Sequence, residues 1–225
     1  MCDERVWAHV RERLTDDYSF GYIPLETART GSEFRTLFED AYAATGQPLN
    51  LIAFSMGGYL ALEFALKHPG KTASLITVSS SAYGLHEDEK RQRRNAVDYL
   101  EKYTYRGIAD ARLNQMLHSS RHKDEAIKQV MRDMDQGLGV ETLKVQMREM
   151  TEREDLFARL PEITCPVMII GGDADPFLTP DQLAAMTDAI PGATSASATI
   201  SGHMIPLERP DWLAKQVDGF YSSVN

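Results

Sequence analysis

The chain contains a serine placed between an apolar run and a helical pattern. Residues 49–54 predict a buried strand, and apolar residues recur at helical spacing after Ser55. The stretch reads Ala53, Phe54, Ser55, Met56, Gly57. Small residues two positions before and after Ser55 suit a turn where a strand and a helix pass closely. Such a turn holds its serine in a sparsely allowed conformation that exposes the hydroxyl beside the positive end of a helix. The stretch therefore predicts a nucleophile elbow for acyl transfer through a serine ester.

Strand and helix patterns alternate on both sides of a purely helical stretch. Strands are predicted at 49–54, 74–78 and 166–170, with a weaker one at 18–25 and a short one near 198–200. Helices are predicted at 6–14, around 34–41 with a stop at Gly46, after Ser55, after Pro180, and at 210–220. Between 86 and 155 four helical patterns follow one another without a strand. This order predicts an α/β fold with a mostly parallel sheet flanked by helices.

The helical stretch predicts an insertion on that sheet. We expect residues 1–84 and 156–225 to form the core and residues 85–155 to form a helical cap. The cap contains half of the chain's ten methionines, at 116, 131, 134, 147 and 150. Most of these are expected in the core of the cap, and some at an adaptable apolar pocket over Ser55.

Composition excludes several classes of partner. The formal net charge of −9 argues against nucleic-acid binding, which requires a clustered basic face. Cys2 and Cys165 fit neither a disulfide framework nor zinc-ligand spacing. The sequence shows no signal peptide and no apolar stretch near the roughly 20 residues of a membrane helix. A cytoplasmic protein without a membrane partner is expected.

A serine nucleophile needs a base and an acid that orients the base. Asp173 and Asp175 follow the predicted strand at 166–170, and His203 follows the next strand. The order is therefore serine, acid, histidine, with Asp175 120 residues after Ser55 and His203 28 residues after Asp175. Loops at the carboxyl ends of parallel strands are where open α/β sheets build their sites. Asp173 competes with Asp175 for the role of the acid.

Together these motifs resemble the α/β-hydrolase family, in its capped, lipase- and esterase-like serine branch. The resemblance rests on the elbow, on Gly172, Asp175 and Pro180 of the acid loop, and on the run from Gly202 to Pro210 around His203. It implies that His203 deprotonates Ser55, that Asp175 orients His203, and that Asp173 is a loop or turn residue. It also implies that the Met56 amide donates to the oxyanion and that no cofactor is required.

The expected activity is hydrolysis of a carboxylic ester, thioester or lactone of a small apolar acyl compound. Hydrolysis of a carbon–carbon bond next to a carbonyl is an alternative, since the same triad supports it. A non-catalytic binding protein of the same fold is the contrasting class. His118 and His122 have the spacing of a helical metal pair, but they flank a probable helix break and lack a third ligand, so no metal site is expected.

The amino terminus departs from the family pattern. Family members begin with two or three strands, and the residue after the third strand supplies a second oxyanion donor. Met1 to Trp7 resembles the segment just downstream of that point. We therefore expect Met1 to be an internal methionine, and a gap or re-pairing beside the strand at 49–54. For a 225-residue product the expectations are a rearranged sheet, a homo-oligomer that completes it, or weak catalysis.

Overall fold

Four parallel strands form one sheet in the computed structural model, which describes residues 1–15 and 18–224. The strands are β1 (Leu49–Phe54), β2 (Thr72–Val78), β3 (Val167–Gly172) and β4 (Thr194–Ala198), in that spatial order. In register, Leu51 pairs with Leu75 of β2 and Ile76 pairs with Met168 of β3. The predicted parallel sheet is confirmed.

Nine α-helices surround this sheet within the described residues. They are α1 (Ala8–Arg11), α2 (Gly31–Thr45), α3 (Met56–Lys67), α4 (Glu87–Lys102), α5 (Asp110–Met116), α6 (Glu125–Thr151), α7 (Pro180–Ala189), α8 (Ile205–Glu208) and α9 (Pro210–Val224). Thr30 caps α2, which ends at Gly46 in the left-handed conformation (φ +64°), as its glycine predicted. Thr179 and Gln182 form a capping box at the start of α7.

The core lies on both faces of the sheet because successive strand residues point to opposite sides. Leu75 and Ile169 pack with α2, α3 and α7, whereas Ile76 and Ile170 pack with α1 and α9. All six residues of β3 are buried, which explains its continuous apolar sequence.

Residues 85–155 contain helices joined by loops and no strand. The third and fourth predicted helices are the two halves of α6, which break at Gly139, where the backbone has φ +75° and ψ 170°. Met131 and Met134 are buried with Leu113 and Leu117, and this cluster also contacts Met204, next to His203. The division of the chain into core and cap stays a prediction.

Two strand predictions need correction. Residues 18–24 form no strand, and Leu25–Thr27 is a short 3₁₀ turn. Pro24 has no backbone N–H to donate to a neighbouring strand. The segment lines the same cavity as the edge of β1 but forms no ladder with it. The strand predicted near 198–200 is β4 at Thr194–Ala198, so it begins and ends earlier, and the backbone turns at Ile200 with φ +55°.

The outer edge of β1 is open. Among the described residues its only strand neighbour is β2, so β1 is an edge strand and no other strand has re-paired with it. That a homo-oligomer completes the sheet, or that catalysis is weak, stays a prediction. No helix in the described ranges is both long and apolar enough to cross a bilayer, and the cytoplasmic location stays a prediction.

Candidate active site

Ser55 occupies a strained turn between β1 and α3. Its backbone has φ +51° and ψ −118°, a conformation that costs energy for any residue other than glycine. The Ser55 amide donates to the Val78 carbonyl of β2 at 2.9 Å, and its carbonyl accepts from the Gly58 amide at 3.0 Å. Packing of strand and helix therefore holds the hydroxyl at the carboxyl end of the sheet.

The closest approach of strand and helix lies at Gly58, one residue later than predicted. A Cβ atom at Gly58 would lie 2.5 Å from Cβ of Ser80 and 3.2 Å from the Ala53 carbonyl oxygen. At Gly57 the nearest atom is Cδ1 of Leu25 at 3.4 Å, an ordinary contact. The prediction that close packing requires glycine at position 57 is thus wrong. The second glycine of the pair, Gly58, was the sequence feature that could have indicated the close approach.

The imidazole of His203 connects the serine to an aspartate. His203 Nε2 lies 3.0 Å from Ser55 Oγ, and His203 Nδ1 lies 3.0 and 3.1 Å from the two carboxylate oxygens of Asp175. A carboxylate beside Nδ1 favours the tautomer with its proton there, so Nε2 is free to accept the Ser55 proton. The structure therefore brings the three predicted residues into one hydrogen-bonded chain.

Asp175 is 4% exposed and is held in its ionised form. Burial by itself raises the pKa of Asp175, but hydrogen bonding and the charge of His203 outweigh it. The Phe177 amide also donates to Asp175 Oδ1 at 2.8 Å. The net pKa of Asp175 lies below its ordinary value, so this carboxylate can stabilise an imidazolium at neutral pH.

Asp173, the competing acid, serves a different turn. Its carboxylate accepts the Ile200 amide at 2.9 Å and the Ser201 amide at 3.0 Å. Burial raises the pKa of Asp173, yet these two backbone donors bring it below its ordinary value. Asp173 therefore shapes the loop that leads from β4 to His203.

Glu208 also organises the histidine loop. Its buried carboxylate accepts the Gly202 amide and the His118 amide, both at 2.9 Å. The His203 amide donates to the Met116 carbonyl at 2.8 Å. A Cβ at Gly202 would lie 2.7 Å from that carbonyl oxygen, so only glycine allows the loop to pass so close to the insertion.

Met56 is the first residue of α3. The first amides of a helix have no acceptor within the helix and carry partial positive charge. The Met56 amide is therefore available beside Ser55, and its part in an oxyanion hole stays a prediction.

A cavity of about 1750 Å³ opens in front of Ser55. Ligand pockets ordinarily measure about 300–1,000 Å³; this one is larger because it continues along the open edge of β1. Three of the insertion's methionines line it, namely Met116, Met147 and Met150, while Met131 and Met134 lie in the buried cluster. Residues 85–155 thus supply flexible apolar side chains to the cavity wall.

His118 and His122 do not lie on one continuous helix. They flank the 3₁₀ turn Ser119–Arg121, where His118 Nδ1 contacts Ser120 Oγ at 2.8 Å and His122 Nε2 contacts the Leu117 carbonyl at 3.2 Å. In the part of the chain that the structure describes, no group of three potential ligands could hold a metal ion.

Comparison with known proteins decides the family. The model of the alpha/beta hydrolase fold matches residues 43–210, which include the elbow, the acid loop and the histidine loop. The chain belongs to the α/β-hydrolase family. The family and fold predicted from the sequence motifs are thereby confirmed.

Several members of this α/β-hydrolase family are similar to the chain. A pimeloyl-[acyl-carrier protein] methyl ester esterase of Aeromonas salmonicida is 36% identical over 38% of the chain, and the match spans 34% of that esterase. A thermophilic esterase of Thermogutta terrifontis superposes with a TM-score of 0.87 at 24% identity, covering 99% of this chain and 86% of the esterase. The enol-lactonase of Burkholderia xenovorans LB400 superposes with a TM-score of 0.75 at 20% identity, covering 86% of this chain and 73% of that chain.

Proposed function

We propose that this α/β-hydrolase cleaves a carboxylic ester, thioester or lactone through an acyl-enzyme on Ser55. The observation that carries the proposal is the hydrogen-bonded chain from Ser55 Oγ through His203 to Asp175. The esterase and lactonase names of similar proteins support the same substrate class.

In the first half-reaction His203 Nε2 takes the proton of Ser55 Oγ while the oxygen attacks the acyl carbon. The ionised Asp175 stabilises the resulting imidazolium. Negative charge develops on the carbonyl oxygen, which the Met56 amide at the start of α3 would receive. When the tetrahedral intermediate collapses, the bond to the leaving group breaks and His203 returns the proton to it.

In the second half-reaction a water molecule takes the place of the leaving group. His203 again accepts a proton, the hydroxide oxygen attacks the acyl carbon, and the proton passes to Ser55 as the acid product leaves. The bonds and protons of these two half-reactions balance without a metal ion or an organic cofactor.

A serine-directed fluorophosphonate probe tests the proposal. Intact-mass analysis should show one adduct on the wild-type chain and on Ser32→Ala, a surface serine in α2, and none on Ser55→Ala. Circular dichroism should show that all three proteins are folded. Absence of an adduct on the folded wild-type chain would refute the hydrolase proposal and favour the non-catalytic binding protein.

Hydrolysis of a carbon–carbon bond next to a carbonyl uses the same nucleophile and would give the same adduct. Turnover of simple activated esters separates the two activities. A probe adduct without any ester turnover would favour the carbon–carbon alternative.

A further inference from the structure

Four arginines line the cavity that contains Ser55 and His203; Arg11 pairs with Glu4, and the other three lie within residues 85–155. Arg93 lies on α4, Arg112 lies on α5, and Arg153 follows the end of α6. All three belong to the predicted cap or its junction with the core, and the proposed chemistry of the triad does not use them. Their neighbours show what such a group of cations could bind.

Arg112 stacks on an aromatic ring that contacts the imidazole of His203, and its side-chain hydrogen-bond partner is neutral. Its guanidinium sits over the ring of Phe177 at 5.0 Å, and that ring meets the His203 ring edge-on at 4.9 Å. Its side-chain hydrogen bond goes to the amide oxygen of Gln115 at 2.6 Å. Within the described residues no ion pair joins Arg112 to a carboxylate.

Arg153 is also without a carboxylate in ion-pair contact among the described residues. Its guanidinium sits over the ring of Tyr59 at 4.8 Å, and Tyr59 lies one helical turn after Ser55 on α3. Its Nε donates to the backbone carbonyl of Tyr83 at 3.0 Å. Burial, followed by repulsion from Arg93, lowers the pKa of Arg153 to about 10.

The third arginine is paired but still adds to the positive field. Arg93 contacts Glu89 at 3.0 Å, and its charge also lowers the pKa of Arg112, after the larger effect of burial. Asp155 is the other carboxylate that acts on Arg153. Arg93 is thus paired with a carboxylate, whereas Arg112 and Arg153 have no ion pair among the described residues.

Other charged residues on this part of the cavity wall are neutralised elsewhere. Lys90 pairs with Glu87 and Glu152, and Asp88 pairs with Arg91. A half-buried charge such as that of Arg153 is costly without a partner, and a bound anion would supply a partner to both Arg153 and Arg112. Guanidinium groups suit this task because their planar forks bind carboxylates through two hydrogen bonds.

We propose that Arg93, Arg112 and Arg153 bind the free carboxylate of a substrate whose ester carbonyl lies at Ser55. The substrate class is then the monoester, monothioester or lactone of a dicarboxylic acid. Planar guanidinium groups without an ion-pair partner match the two oxygens of a carboxylate. This inference rests on the proposed hydrolase function and narrows its substrate.

Two p-nitrophenyl esters of equal acyl length test the inference: the monoester of glutaric acid, which is anionic, and the pentanoate, which is neutral. The wild-type enzyme should favour the anionic ester by about tenfold in kcat/KM, as expected for one added charge-assisted contact. Arg112→Gln and Arg153→Gln should each reduce this ratio towards one, mainly by raising KM for the anionic ester. Arg106→Gln, an exposed arginine between α4 and α5 that does not line the cavity, is the matched control and should leave the ratio unchanged.

Competition supplies a second measurement that does not depend on any variant folding. Glutarate should inhibit hydrolysis of the neutral ester competitively and more strongly than 1,5-pentanediol or inorganic phosphate. Stronger inhibition by phosphate would overturn the assignment to carboxylates. Equal kcat/KM for the two esters in the wild-type enzyme would overturn the arginine site while the hydrolase function stands. Failure of both the esters and the fluorophosphonate probe to react would instead refute the hydrolase function itself.

Discussion

The substitution Asp175→Asn tests whether the Asp175 carboxylate orients His203 or is only a buried polar group. The substitution keeps the size of the side chain and one oxygen that can accept the Phe177 amide, now at 2.8 Å. It places an NH₂ group, or a single weaker acceptor, opposite His203 Nδ1, where two carboxylate oxygens now lie at 3.0 and 3.1 Å. An NH₂ group there favours the tautomer with its proton on Nε2, which cannot accept the proton of Ser55.

We therefore expect kcat to fall by about 10³–10⁴-fold, the effect of a wrong tautomer in a serine triad. The assay is hydrolysis of an activated ester by wild-type and variant enzyme at pH 7–8, with urea unfolding to show that the variant is folded. KM should change little, since Asp175 lies behind the imidazole and not in the substrate's path.

Asp173→Asn is the matched control. It weakens two hydrogen bonds from backbone amides, at 2.9 and 3.0 Å, to a charged acceptor. We expect a loss of about 1–3 kcal/mol in the free energy of unfolding and less than a tenfold loss in kcat. A larger catalytic defect in Asp173→Asn than in Asp175→Asn would refute the assignment of Asp175 as the acid.

Two further predictions concern stability. Gly58→Ala should lower the free energy of unfolding by about 1–3 kcal/mol, because its Cβ would lie 2.5 Å from that of Ser80 and overpack the elbow. Gly57→Ala, with an ordinary 3.4 Å contact, should cost clearly less in the same urea titration; the reverse order would contradict the packing argument. Because the folded-state pKa of Asp175 is depressed, its ionisation stabilises the fold above its unfolded pKa of about 3.9, and this stabilisation is lost as the pH falls through the folded value. The stability difference between wild type and Asp175→Asn should hence shrink below about pH 4 in urea titrations, and a difference constant from pH 6 to 3 would contradict the depressed pKa.

Much of the fold and site followed from local patterns. The apolar runs at 49–54, 74–78 and 166–170 became β1, β2 and β3 because residues buried on both faces must be apolar throughout. Ser55, Asp175 and His203 could be selected because each follows a strand, and parallel strands bring their carboxyl ends together.

Tertiary structure decided what depends on neighbours distant in sequence. Residues 18–25 did not form a strand although the outer edge of β1 is open, because the segment lines a cavity together with that edge and makes no ladder to it. The choice between Asp173 and Asp175 turned on a two-residue difference along the acid loop, which places one carboxylate on the imidazole and the other on two backbone amides.

The sequence by itself determined the alternation of elements, the strained serine turn and the order of the three reactive residues, because each depends on chemistry within a few residues. The tertiary structure alone showed the need for glycine at Gly58 and Gly202, the bridging role of Glu208, and the grouping of arginines before Ser55. Those features arise from close approach of segments far apart in the chain, and no local pattern encodes such distances.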